Sequence, residues 1–136
     1  MTVTGSDAIT VRNGSITKFG AGLRLFGRHH LVEEVRVGNS SRGIQVGQGI
    51  IRNNIPSNNR DFTAIGIEAG LIEVSAATGF LEEGGSTIIG NVADANNIGI
   101  QVVCPSVVVN NAANDNDVAD MTVAFNCTRL ANSPAP

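Results

Sequence analysis

One pentad recurs along the chain, as Ala21-Gly22-Leu23-Arg24-Leu25, Arg42-Gly43-Ile44-Gln45-Val46, Ile65-Gly66-Ile67-Glu68-Ala69 and Ile98-Gly99-Ile100-Gln101-Val102. A degenerate fifth copy, Ala119-Asp120-Met121-Thr122-Val123, has Asp in place of Gly, and the key positions are 21, 23, 33 and 21 residues apart. Periods of this size mean stacked coils, each too small to bury its own apolar face. Within each pentad the aliphatic residues alternate with a polar one, and a period of two is that of a strand. Leu23, Ile44, Ile67, Ile100 and Met121 therefore form one inward row. Arg24, Gln45, Glu68, Gln101 and Thr122 point outward, one per coil.

Asparagines that follow short apolar strands support the same register: Asn13, Asn39, Asn54, Asn91 and Asn111. Their distances to the next pentad Gly, or to Asp120, are 9, 4, 12, 8 and 9 residues, so each coil reads strand, Asn turn, strand, loop. An Asn at one turn of stacked coils tolerates left-handed backbone and can pass a hydrogen bond from amide to amide. The expected fold is all-β, a parallel solenoid of about five rungs in a single domain over residues 1–136. Helical repeats are excluded because Val, Ile, Thr and Asn stand where Ala, Leu, Glu and Lys would be needed. The long 33-residue interval predicts an inserted loop near residues 75–86.

Ile9-Thr10-Val11-Arg12-Asn13-Gly14-Ser15-Ile16, Phe19-Gly20-Ala21-Gly22-Leu23, the Asn-ended strands and Cys104-Pro105-Ser106 together resemble the right-handed parallel β-helix proteins of the pectate-lyase-like superfamily. The resemblance implies three parallel sheets and export from the cell. It admits polysaccharide lyases, hydrolases, sugar epimerases, phage tailspikes and proteins without known activity. The matching residues are scaffold residues, so the resemblance speaks to fold more than to chemistry.

Composition narrows the partners. Net charge is −3 and Lys18 is the one lysine, which gives no basic stripe for nucleic acid. Apolar runs such as Val107–Val109 fall far short of the roughly 20 residues that span a bilayer. Residues 1–7 show neither the charged nor the apolar region of a signal peptide. Trp and Tyr are absent, and with them the usual platforms for sugar rings.

Candidate chemistry lies mainly on the outward stripe. A lyase needs a base beside a uronate carboxylate and a cation to stabilise the enolate-like charge, and Arg24 with Glu68, about 10 Å apart across two coils, are the catalytic candidates. Gln45 and Gln101 on the stripe, with Phe80, Glu82 and Glu83 in the insertion, are the binding candidates. Asp115, Asp117 and Asp120 could supply oxygens to Ca2+, although no EF-hand spacing accompanies them; no other cofactor is expected. His29 and His30 are adjacent, so an extended backbone would point them apart, and they are read as surface loop or corner residues. Cys104 and Cys127 are 23 residues apart, near one period, which admits a disulfide between neighbouring coils or two buried thiols.

Two functions are consistent with these residues. The preferred one is a non-catalytic module that binds carbohydrate or a protein partner, or serves assembly. The alternative is a carbohydrate-active enzyme (lyase, epimerase or hydrolase) acting on acidic polysaccharide. Ends without an evident cap predict a homo-oligomer, a dimer first, through Ile9, Val11 and Ile16 or through the flank bearing Phe80 and Leu81.

Overall fold

The computed structural model describes residues 1–3, 7–75, 79–82, 84–123 and 125–134, with only the backbone described for 71–75, 79–82 and 134. Its described residues form strands, turns and loops without a helix, wound as a parallel β-solenoid of about five turns. One six-stranded sheet stacks Thr2–Val3, Leu23–Leu25, Ile44–Val46, Ile65–Ala69, Ile98–Val102 and Ala119–Val123, all parallel. The pentads are thus one side of the coil. Leu23, Ile44, Ile67 and Ile100 follow one another in register and are almost completely buried, with Met121 half-buried at the end of the row. Arg24, Gln45, Glu68, Gln101 and Thr122 form the neighbouring outward row.

The pentad glycine is set by the distance between coils. A Cβ built on Gly22 would stand 2.7 Å from the Gly43 carbonyl oxygen, and one on Gly66 would stand 2.6 Å from that of Gly99. Each coil therefore needs a hydrogen at this position so that the next can approach to strand spacing. Asp120 holds the last such position among the described pentads. A further coil in this register would put its carbonyl against the Asp120 Cβ. The inward row of the second sheet ends in the same manner: Val11, Val32, Ile51, Ile88 and Val108 lead to Arg129, whose guanidinium donates to the Val123 carbonyl. A charge thus stands at the last described position of an apolar column.

The second sheet carries the other two sides of the coil, and it bends at single residues. Asn13, Glu34, Asn53, Gly90, Asn110 and Ala131 make the first bend, and Lys18, Asn39, Asn58, Ala95 and Asp115 the second, all with φ between 51° and 63°. Asn is the commonest type here because its short polar side chain tolerates left-handed backbone. From the third coil on, the residue immediately after each bend is a buried or half-buried asparagine that serves the coil before it, and Ser40 does the same in the second coil. Asn54, Asn91, Asn111 and Asn132 form one column, each Oδ1 in the last three accepting from the backbone N and the Nδ2 of the preceding member at 2.9–3.0 Å or, at the last step, 3.0–3.1 Å. Asn59, Asn96 and Asn116 form a second column that ends on the Asp120 carboxylate.

The sequence reading placed Asn13, Asn39, Asn54, Asn91 and Asn111 in one column, and the structure corrects it. Asn13 belongs to the first bend and Asn39 to the second, both exposed, whereas Asn54, Asn91 and Asn111 are interior. The uneven gap of 4 residues after Asn39 is the difference between the two bends.

The insertion leaves the stack after Gly70, whose N–H donates to the Val46 and Gly47 carbonyls, and Gly84 is back against Pro105. Between them Leu71–Ser75 and Gly79–Glu82 pair as an antiparallel hairpin, which begins earlier than residue 75 and is paired rather than an open loop. Its first strand lies beside Ile44–Val46.

Cys104 and Cys127 form a disulfide with a Cα separation of 5.1 Å, joining the last two coils. Such a bridge across 23 residues is worth about 3 kcal/mol by restricting the unfolded chain. Reduction, or Cys127→Ser, is expected to lower the melting temperature by several degrees. Identical melts with and without reductant would show that the bridge adds nothing.

Candidate functional site

The outward stripe is a chain of side chains holding one another. The Arg24 Nε donates to Gln45 Oε1 at 2.7 Å, and Gln45 Nε2 donates to Glu68 Oε2 at 2.7 Å. The Arg24 guanidinium also lies 4.8 Å from the centre of the Phe26 ring. Strand stacking brings these residues together, and Gln45 spans the two-coil gap between the candidates Arg24 and Glu68. Although it is on the outer face, Gln45 is only 2% exposed. Gln101 follows Glu68 in register, and Thr122 follows Gln101.

The remaining predicted residues are dispersed. Phe80 and Glu82 lie on the hairpin, where only the backbone is described, and Glu83 lies outside the described residues. Asp120 accepts from Asn116, Asp115 occupies a left-handed bend, and Asp117 is exposed on a loop. Among the described residues no three His, Cys, Asp or Glu side chains come together as a metal-holding group. His29 is exposed and left-handed, whereas His30 is buried in the next corner.

A different surface gathers groups that the sequence reading did not join. Beyond the second bend, the loops returning to the pentads line one edge of the solenoid. An open depression of about 590 Å³ runs there from Lys18 and Phe19 across Asn39 and Asn58 to Arg60 and Asp61. It continues, through the shared Arg60 and Asp61, into a second of about 300 Å³ bounded by Phe62, Asn97, Asp117 and Val118. Phe19 is 59% and Phe62 98% exposed. They sit on coils two levels apart, about 10 Å along the stack.

The walls are held by hydrogen bonds between coils. Ser41 N donates to the Phe19 carbonyl at 3.1 Å, Arg60 Nε to the Ala95 carbonyl at 3.1 Å, and Asn97 Nδ2 to the Phe62 carbonyl at 3.2 Å. Asp61 Oδ1 accepts from Phe62 N at 2.7 Å, fixing the loop that presents the ring. Lys18 and Arg60 are set against Asp61 and Asp117, so this edge offers donors and acceptors with little net charge. The signal was present in the sequence: each Phe follows a Lys or Asn bend in a segment rich in Gly, Asn and Ser. With Trp and Tyr absent, Phe is the aromatic type left to serve as a platform.

Comparison with protein-family models, curated proteins and solved structures gives no match to this chain.

Proposed function

We propose that this protein is a non-catalytic β-solenoid module that binds an extended, hydroxyl-rich polysaccharide along the edge between Phe19 and Phe62. The observation that carries this reading is the pair of exposed phenyl rings on one continuous polar depression. A fully exposed Phe beside Asn, Ser, Arg and Asp groups supplies what a sugar ring needs: an apolar face to stack on and polar atoms around it. Two rings about 10 Å apart suit one extended chain better than one small molecule.

Calorimetric titration with a panel of neutral and acidic polysaccharides tests the reading. Phe19→Ala and Phe62→Ala are each expected to weaken binding about 10-fold, roughly 1.4 kcal/mol, with unchanged melting temperature. Absence of binding across the panel, or binding indifferent to both substitutions, would remove the proposal. The same mixtures, followed by ultraviolet absorbance with and without Ca2+, address the enzymatic alternative. Release of unsaturated uronates that is abolished by Glu68→Gln would replace the binding reading with a lyase using Arg24 and Glu68.

A further inference from the structure

The first coil pairs with the second along Thr10–Thr17 and is tied to it at the corners by side-chain acceptors, one of which, His30, is titratable. Phe19 N donates to Ser40 Oγ at 3.3 Å, Arg28 N donates to Asp7 Oδ1 at 2.7 Å, and Ile9 N donates to His30 Nδ1 at 3.3 Å. His30 occupies the corner position that Ser86 and Ser106 hold in later coils, where their hydroxyls accept from Gly49 N and Ser86 N. Unlike a serine, an imidazole accepts at Nδ1 only while neutral, with its proton on Nε2. His30 is 1% exposed, and its Nε2 is buried without a hydrogen-bond partner. Gly49 lies directly beneath, where even a Cβ would collide with the His30 backbone.

We propose that His30 is a proton-operated latch, which as neutral imidazole holds the first coil to the second through Ile9 and as imidazolium releases it. Protonation turns Nδ1 into a donor facing the Ile9 N–H, so two donors oppose each other and a charge is left in a buried corner. Release uncovers what residues 9–17 cover: Val11 and Ile16 lie over Val32 and Val37, and Thr10–Thr17 occupies the edge of His30–Gly38. An acidic medium would thereby expose an apolar surface and a free parallel strand edge to a partner.

The direction of the pH effect follows from the surroundings. Burial lowers the His30 pKa below its usual value, and neighbouring His29 acts in the same direction; the Asp7 carboxylate and the Phe26 carbonyl oppose them without prevailing. The latched state therefore binds fewer protons than the open one. Latching is complete above the ordinary histidine value of about 6.5 and is lost as pH falls below it.

Hydrogen exchange read by mass spectrometry at pH 7.5 and pH 5.0, corrected for intrinsic rates, tests the latch in the intact protein. Protection of residues 9–17 is expected to fall by up to about 30-fold at pH 5.0, the full linkage for a group titrating near 6.5 once open, while residues 98–102 stay protected. His30→Asn should abolish the difference, and His29→Gln should retain it. Unchanged protection of 9–17, loss shared equally by 98–102, or a difference that persists in His30→Asn would overturn the proposal. Should His30→Asn fail to fold, ring 15N shifts of wild-type His30 decide the matter: a protonated Nδ1 at pH 7.5 contradicts the latch, and an unprotonated Nδ1 that titrates together with the Ile9 amide supports it.

Discussion

Asn91→Leu is expected to cost about 3–6 kcal/mol, enough to unfold a domain of ordinary stability or bring it close to unfolding. Asn91 is fully buried and uses both ends of its amide. Its Oδ1 accepts from Asn54 N and Nδ2, each at 3.0 Å, and its Nδ2 donates to the Ile51 carbonyl and to Asn111 Oδ1, each at 2.9 Å. Leucine fills the volume and leaves the Asn54 N–H, one Asn54 amide hydrogen and the Ile51 carbonyl without partners in a dry interior. Each such group costs about 1–3 kcal/mol, which leucine's apolar transfer offsets only in part. Asn110→Gly, one residue earlier, changes an exposed residue at φ 52° for one that adopts left-handed backbone freely, and its effect should stay within about 0.5 kcal/mol. Denaturant unfolding followed by circular dichroism compares the two. A loss below about 1 kcal/mol for Asn91→Leu would mean that the column fills space and little more.

That contrast also explains where the sequence was legible. The pentads were readable because two local demands coincide there: alternation fixes which side chains face in, and the close approach of the next carbonyl demands glycine. Even the exception is informative, since Asp120 stands in the last described strand of the pentad sheet, and its carboxylate terminates an asparagine column. Asparagine was harder because it serves two purposes at positions one residue apart. At Asn53, Asn58 and Asn110 the backbone angle matters, whereas at Asn54, Asn59 and Asn111 the amide does. The regular spacing of Asn54 and Asn59, Asn91 and Asn96, Asn111 and Asn116 was the missing clue to two columns instead of one. The edge bearing Phe19 and Phe62 was not legible for a different reason. Its residues come from loops of unequal length, and only stacking of the coils makes them neighbours.

Ile67→Asp is expected to abolish folding at pH 7, while Thr122→Asp, an outward neighbour in the same sheet, should change stability by no more than about 0.5 kcal/mol. Ile67 is fully buried between Ile44 and Ile100 in the inward row. A carboxylate there would be surrounded by Leu, Ile and Val, in a core cluster composed of apolar residues. The uncompensated charge costs several kcal/mol, and the lost aliphatic side chain adds about 2–5 kcal/mol more. The combined loss approaches the whole stability of a domain this size. Burial would raise the pKa of the new carboxyl in any folded form, so whatever structure survives should gain stability as pH falls from that raised value towards the ordinary carboxylate range, the opposite trend to the His30 latch. Ile67→Ala separates the two contributions: it should fold, with a cavity penalty only. Because a slip of one residue in the pentad would exchange the inward and outward rows, the two aspartates test the register as well as the core. A soluble Ile67→Asp protein that melts cooperatively at pH 7, alongside an unfolded Thr122→Asp, would place the wrong face of the pentads inside.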